Sequence, residues 1–219
     1  MRHLTVKAPL FEDRRDAGRR LALELEPERG RELVVLGLAH GGVETAAQIA
    51  RALDAPLDAV AVRKVGHPLQ PEYAIGAVTP KGAAYVRAHD GLTDEDVAVA
   101  VGAARARAVD LDARIHAEHP ALELSGRTVA VVDDGLATGA TMIAAARWAR
   151  SAGAGRVVVA VPVAPVESLV RVQREADAVY CLYALERFGA VGLWYGSFEQ
   201  LSDADVNRLL AGSRRAAVT

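Results

Sequence analysis

Two adjacent carboxylates, Asp133 and Asp134, close an apolar run and open a loop of small residues, Gly135-Leu-Ala-Thr-Gly-Ala-Thr141. Carboxylate oxygens accept from sugar hydroxyls and suit hydrated Mg2+. The loop suits the opposite charge. Small side chains let an anion approach the main chain, and the N–H groups at a helix start are unpaired and sit at the positive end of the helix dipole. That makes a phosphate site, to which Thr138 and Thr141 can add hydroxyl donors. A ligand with both a diol and a phosphate is a ribose 5-phosphate.

These groups need elements to hold them. Val129-Ala-Val-Val132 is short, apolar and β-branched, the pattern of a buried strand. Met142 to Arg150 is rich in Ala and free of Gly and Pro, the pattern of a helix. The expected order is strand, acidic pair, loop, helix. A Rossmann-like βα turn with an incidental Asp pair has the same outline, and the residues by themselves leave it open.

Asp133-Asp134-Gly-Leu-Ala-Thr-Gly-Ala-Thr141 resembles the phosphoribosyl pyrophosphate (PRPP) motif of the type I phosphoribosyltransferases. The resemblance implies that Asp133 and Asp134 hold the ribose hydroxyls. It implies that Ala137, Thr138, Gly139, Ala140 and Thr141 hold the 5-phosphate. It also implies transfer of phosphoribose from PRPP to a nitrogenous base, purines among the candidates, with release of pyrophosphate. Mg2+ would be carried on the substrate, with no dedicated protein metal site. Hypoxanthine–guanine enzymes have a further Asp where this chain has Ala137. The motif, with Arg63-Lys64-Val-Gly66, looks nearer the adenine enzymes, but the different tail leaves the base unassigned.

Two other loops bear on the same ligand. Glu32 to Leu38 reads as a strand running into Ala39-His40-Gly41-Gly42-Val43, with a helix from Glu44 to Leu53. Consecutive glycines after a strand mark unusual backbone angles or close ligand approach. In the resembled family this loop binds pyrophosphate, commonly as Pro-Arg-Gly-Gly-Val. Here Ala39 and His40 replace Pro-Arg, so His40, Gly41 and Gly42 are the candidates. A structural or base-side role for His40 is the other reading. An Arg would grip phosphate bidentately and stay charged, which His does not do. Leu57 to Lys64 reads as a strand ending in adjacent cations. Gly66, Pro68 and Pro71 mark a loop after it. Arg63 and Lys64 resemble the cationic pair that opens the family's catalytic flexible loop, and Glu72 is a candidate proton donor or acceptor for the base. A surface Glu in a turn fits Glu72 equally.

The rest of the chain reads as alternating strands and helices. The expectation is an α/β fold: a doubly wound, mainly parallel sheet flanked by helices, with a flexible loop at 65–88 and a C-terminal hood at 184–219 in a single domain over 1–219. Phe11 to Leu25 reads as an amphipathic helix with Phe11, Ala17, Leu21 and Leu25 on one face and Arg14, Arg15, Arg19 and Arg20 largely off it; a solvated face is the expectation, with Arg14 and Arg15 reaching an anion as the other reading. Thr93 caps a helix to about His116, whose Arg105, Arg107 and Arg114 are read as solvent-facing. Phe188, Trp194, Tyr195 and Phe198 cluster in the tail. Gly192-Leu-Trp-Tyr-Gly-Ser-Phe198 resembles the C-terminal segment of bacterial members of the family. Trp194 and Tyr195 are therefore base-stacking candidates, with an apolar plug or a homodimer contact as the other readings. Net charge of −2 gives no general pull toward nucleic acid or membrane. The single cysteine, Cys181, excludes an intrachain disulfide and reads as a buried thiol. With no leader or apolar span in view, a cytoplasmic enzyme is the expectation. A PRPP-binding regulator without catalysis is its rival.

Overall fold

The computed structural model describes residues 8–82, 84–87 and 91–216, apart from the side chains of Pro71, Glu72 and 214–216. The frame is a five-stranded parallel sheet in the order β2-β1-β6-β7-β8. The strands are β1 (Leu33–Leu38), β2 (Leu57–Val60), β6 (Thr128–Val132), β7 (Arg156–Pro165) and β8 (Ala178–Leu185). β1 and β6 are buried along their whole length, which is why they read as continuous apolar runs. Their register is tight: Leu36 lies beside Val131, and Val131 beside Val159 of β7.

Alternation along the strands builds two cores. Val34, Leu36, Val129, Val131, Val157 and Val159 meet α4 (Ala140–Ser151) and α5 (Val166–Val172). Their neighbours Leu33, Val35, Ala130, Val132, Val158 and Ala160 meet α1 (Arg14–Glu24), α2 (Gly41–Leu53), the end of α3 (Asp94–Ile115) and α6 (Asp203–Ala216). Helices on both faces make the sheet doubly wound. The chain turns from β1 to β2 on one side and returns to β6 on the other. The C-terminal ends of β1 and β6 therefore flank the switch point, where ligands of such sheets bind.

The excursion after β2 differs from the loop expected at residues 65–76. β2 stops at Val60, whose carbonyl takes the Ala39 N–H at 3.1 Å. The chain then leaves the parallel sheet and forms β3 (Arg63–His67), β4 (Gln70–Val78) and β5 (Tyr85–Val86), an antiparallel sheet in that order. Val65, Ile75 and Val78 pack on Ala104 of α3, and that burial pins the ribbon. Pro68 sits in the turn, and the register shifts at Gly66 absorb the residues that read as loop markers. The capping box of Thr93 and Asp96 starts α3 as expected.

Three arginines expected in solvent are engaged. Arg105 donates to the carbonyls of Thr79 and Pro80 at 3.0 and 3.3 Å, securing the end of β4. Arg114 donates to Asp203 at 2.6 Å. Arg14 is 6% exposed and belongs to the site below. Cys181 is half-buried; burial pushes its thiol up to about 11. Among the described residues no helix is long and apolar enough to cross a membrane.

Candidate active site

The acidic pair stands where β6 leaves the sheet. Asp134 donates its N–H to Asp133 Oδ1 at 2.9 Å. Asp134 Oδ2 takes the Arg14 Nε proton at 2.7 Å, with the Arg14 and Asp134 side chains 8% and 13% exposed. Arg14 also donates to the Glu199 carbonyl at 2.6 Å and lies 3.8 Å over the Phe198 ring. Tyr195 donates its hydroxyl to the Asp134 carbonyl at 2.5 Å. Burial, then the charge of Asp134, pushes the Asp133 carboxyl well above the usual range. Burial raises Asp134 too, against the opposing pull of Arg14. The structure thus separates two roles. Asp134 is clamped by a counter-ion, while Asp133 has no cationic partner among the described residues' ion pairs.

The small-residue loop follows as expected. Leu136 donates its N–H to the Val163 carbonyl at 3.0 Å and anchors the loop to β7. Gly139 has φ +80°, a left-handed turn that delivers the chain into α4. Ser168 Oγ donates to the Ala137 carbonyl at 2.6 Å, and Arg171 donates to the Thr138 carbonyl at 3.3 Å and to Ser168 Oγ at 2.8 Å. The Ala137 and Thr138 carbonyls are thus tied to α5. Among the described residues, no main-chain acceptor takes the N–H of Ala137, Thr138, Gly139 or Thr141. Thr138 and Ala137 are exposed, as a phosphate loop requires.

Gly41 and Gly42 start α2 against the acidic pair. A Cβ on Gly41 would collide with Asp134 Oδ2, and one on Gly42 would stand 2.6 Å from the Val132 carbonyl and 3.0 Å from Asp133 Oδ1. The glycines let two strand ends close on each other, and their amides lie at a helix N-terminus. The Ala39–His40 peptide is cis. His40 Nε2 donates to Asp203 Oδ1 at 2.5 Å.

Arg63 and Lys64 are set apart by the strand that carries them. Both lie on β3, where successive side chains point to opposite faces. Arg63 is half-buried, while Lys64 is exposed. Burial, and then the like charges of Arg114 and Arg107, hold the Arg63 guanidinium below its ordinary value against the attraction of Asp203. Glu72 lies on β4, but its side chain falls outside the described residues. Trp194 and Tyr195 are 8% and 6% exposed. Trp194 donates to the Phe188 carbonyl at 3.1 Å, and Tyr195 packs against Phe11 and Phe198 at 5.3 and 5.0 Å between ring centroids. They form the apolar plug; stacking a base on either ring would need the tail to move.

Sequence reasoning misses the parts that hold the site. Arg14 groups with the solvated arginines because its distance along the chain from Asp134 hides their contact. Ser168 and Arg171 carry a weak signal: they follow β7, which lies beside β6, the strand that leads into the small-residue loop. Asp203 reads only as part of a helix start.

A doubly wound sheet with an acidic pair, a small-residue anion loop and a Gly-Gly turn around one switch point is the architecture of the type I phosphoribosyltransferases. The phosphoribosyl transferase domain model matches residues 11–186, and the chain belongs to that family. Proteins of Mycobacterium tuberculosis strains H37Rv and CDC 1551, each carrying the name "putative phosphoribosyl transferase", are 42% identical over 212 residues. The match covers 94% of this chain and 47% of each relative, so the chain spans about half the length of the curated relatives it matches. The crystal structure of the protein TT1426 from Thermus thermophilus is 39% identical, with a TM-score of 0.79 and coverage of 92% of this chain and 98% of that one.

Proposed function

We propose that this chain transfers phosphoribose from PRPP to a nitrogenous base and releases pyrophosphate. The observation that carries the reading is the convergence of the acidic pair, the amides of Ala137, Thr138, Gly139 and Thr141, and the Gly41-Gly42 turn at one switch point. Asp133, less encumbered than Asp134, accepts from the ribose hydroxyls. Ala137 to Thr141 bind the 5-phosphate through the main chain and the Thr hydroxyls. As the glycosidic bond lengthens, negative charge grows on the departing pyrophosphate. The Gly41 and Gly42 amides, His40 and Arg63 stabilise it there, where fixed donors are worth most. Buried Tyr195 covers one side of the acidic pair through its hydrogen bond to the Asp134 carbonyl, and Phe198 lies against the Arg14 that holds Asp134.

Mg2+ would neutralise part of the diphosphate charge. Among the described residues no group of three or more His, Cys, Asp or Glu side chains converges, and Asp134 already spends one oxygen on Arg14. That donor set fits an ion carried on PRPP oxygens and waters, with Asp133 reaching it through water, and does not fit a protein cage. The base stays unassigned. PRPP, a base and substrate-borne Mg2+ are the partners this reading needs.

The test is calorimetric titration of PRPP with Mg2+ into the wild type and the Asp133→Asn/Asp134→Asn double variant, followed by pyrophosphate release over a panel of bases. The double variant should bind more weakly by roughly 3–6 kcal/mol, from two charge-assisted contacts of about 1.5–3 each. Equal binding by both proteins would remove the ribose assignment. A second reading, a PRPP or nucleotide sensor without turnover, is favoured by two contacts: Arg14 holds Asp134, and Asp203 holds His40. Tight PRPP binding with no pyrophosphate released by any base would select it.

A further inference from the structure

The first turn of α6 places a carboxylate on the loop assigned to pyrophosphate. Asp203 accepts from His40 Nε2 at 2.5 Å with one oxygen and from Arg114 Nε at 2.6 Å with the other. The contact lies at an open mouth: the His40, Asp203 and Arg114 side chains are 24%, 32% and 52% exposed. The helix does not need this carboxylate for its own start. Ser202 and Asp205 cap it, Ser202 accepting the Asp205 N–H at 3.2 Å and donating its hydroxyl to Asp205 at 2.6 Å. Nor does the helix need it as an anchor, since Val206 and Leu210 are fully buried in the core against α2.

The cations around Asp203 outnumber it. Arg63 feels Arg114 and Arg107 as repelling neighbours and Asp203 as the attracting one. His40 and Arg114 thus hold one carboxylate between them, with Arg63 within electrostatic reach of it and Arg107 a neighbour of Arg63, beside the N-terminal amides of Gly41 and Gly42. The excess positive charge is that of a site for a polyanion, and Arg114, sharing Asp203 with His40, brings a guanidinium to a loop without its own arginine.

We propose that His40, Arg63, Arg107 and Arg114 form a diphosphate-binding cluster and that Asp203 is its built-in competitor, a carboxylate that pyrophosphate must displace. The proposal rests on the PRPP reading for its natural ligand, but its geometry belongs to this chain: the charge comes from α3 and the competitor from α6. Displacement frees both Asp203 partners at once, so diphosphate entry and loosening of the α6 first turn are coupled.

The experiment titrates inorganic pyrophosphate, with Mg2+, into the full chain as wild type, Asp203→Asn, Arg114→Gln and Asp203→Asn/Arg114→Gln. Asp203→Asn should tighten pyrophosphate binding about tenfold or more, and Arg114→Gln should weaken it in either background by a similar factor. Asp203→Ser, which keeps a residue suited to a helix start, should repeat the Asn result if the first variant folds poorly. Unchanged or weaker binding in the folded Asp203 variants overturns the proposal and makes Asp203 an orienting partner of His40. Absence of pyrophosphate binding in all four proteins overturns it as well. Ribose 5-phosphate titrated into the same set separates the two readings. Its binding should be indifferent to Asp203 and Arg114, and its loss from the wild type would sink the PRPP assignment while the pyrophosphate pattern stands on its own.

Discussion

Arg14 shows how much a single side chain can hold together here. Its guanidinium neutralises Asp134, caps the Glu199 carbonyl and stacks on Phe198, so α1, β6 and the tail meet on one planar group. Replacing it by Ala leaves the Asp134 carboxylate buried without its counter-charge. Unfolding in urea should show a loss of about 3 kcal/mol, and PRPP affinity should fall with it. Arg14→Lys should recover only part of this, because an ammonium keeps the charge but neither the fork nor the stacking. Full recovery by Lys would mean that charge alone matters.

A second residue ties charge to pH. His116 donates to Asp112 at 3.1 Å and to the buried Asp58 at 3.2 Å, and these hydrogen bonds raise its imidazole from 6.5 to about 10 despite the cost of burial. The native state therefore holds this proton more tightly than the unfolded chain does. Its contribution to stability is complete below about pH 6.5 and disappears as pH rises through about 10. Urea midpoints of the wild type and His116→Gln should differ most at pH 6 and converge toward pH 10. A gap that widens with pH would assign the contact a different charge state.

At the scale of elements, two strand ends and two helix starts make the site. The β1–α2 and β6–α4 turns face each other because Gly42 lets the α2 backbone close on the Val132 carbonyl. A methyl group there would press on the Val132 carbonyl, the Asp133 main chain and the Asp133 carboxylate. Gly42→Ala should cost about 1–3 kcal/mol of stability and, with the α2 turn at the pyrophosphate end as proposed above, weaken PRPP binding more than ribose 5-phosphate binding. Equal loss for both ligands would show that the substitution had disturbed the acidic pair instead. The β3–β5 ribbon is the other element of consequence. It presents Arg63 to the cluster and Lys64 to solvent, so a strand's alternation halves the cationic pair that the linear order displays.

At the scale of the whole fold, the segment before α1 and the segment beyond β8 pack together. Leu10 and Phe11 donate their N–H groups to the Trp194 carbonyl, Gly196 donates to the Phe11 carbonyl, and α6 buries Val206 and Leu210. The family match ends at residue 186, yet the segment beyond it supplies Tyr195 to Asp134 and Asp203 to His40. Four buried side chains of this tail, Trp194, Tyr195, Val206 and Leu210, contribute about 1.5–3 kcal/mol each, a sum comparable with the ~5–15 kcal/mol net stability of an ordinary domain. A chain cut after Glu186 should therefore lose its cooperative urea transition. A sharp transition in the truncated chain would show that the matched region folds alone.

What the linear order determined by itself was local. An apolar β-branched run followed by small residues and an Ala-rich stretch specified β6, its loop and α4 almost to the residue, because burial on both faces and helix propensity are properties of neighbours in sequence. The Thr93 capping box and the strand–helix alternation were legible for the same reason. The antiparallel ribbon was not, since Gly66, Pro68 and Pro71 signal a break locally while packing of Val65 and Ile75 on α3 overrides it. Only the tertiary structure decided which charges meet. Arg14 finds Asp134 across 120 residues, and His40 finds Asp203 across 163. No local propensity encodes such pairs: an arginine on an amphipathic helix looks solvated until the fold sets a carboxylate against it, and the cost of burying that carboxylate then makes the contact obligatory.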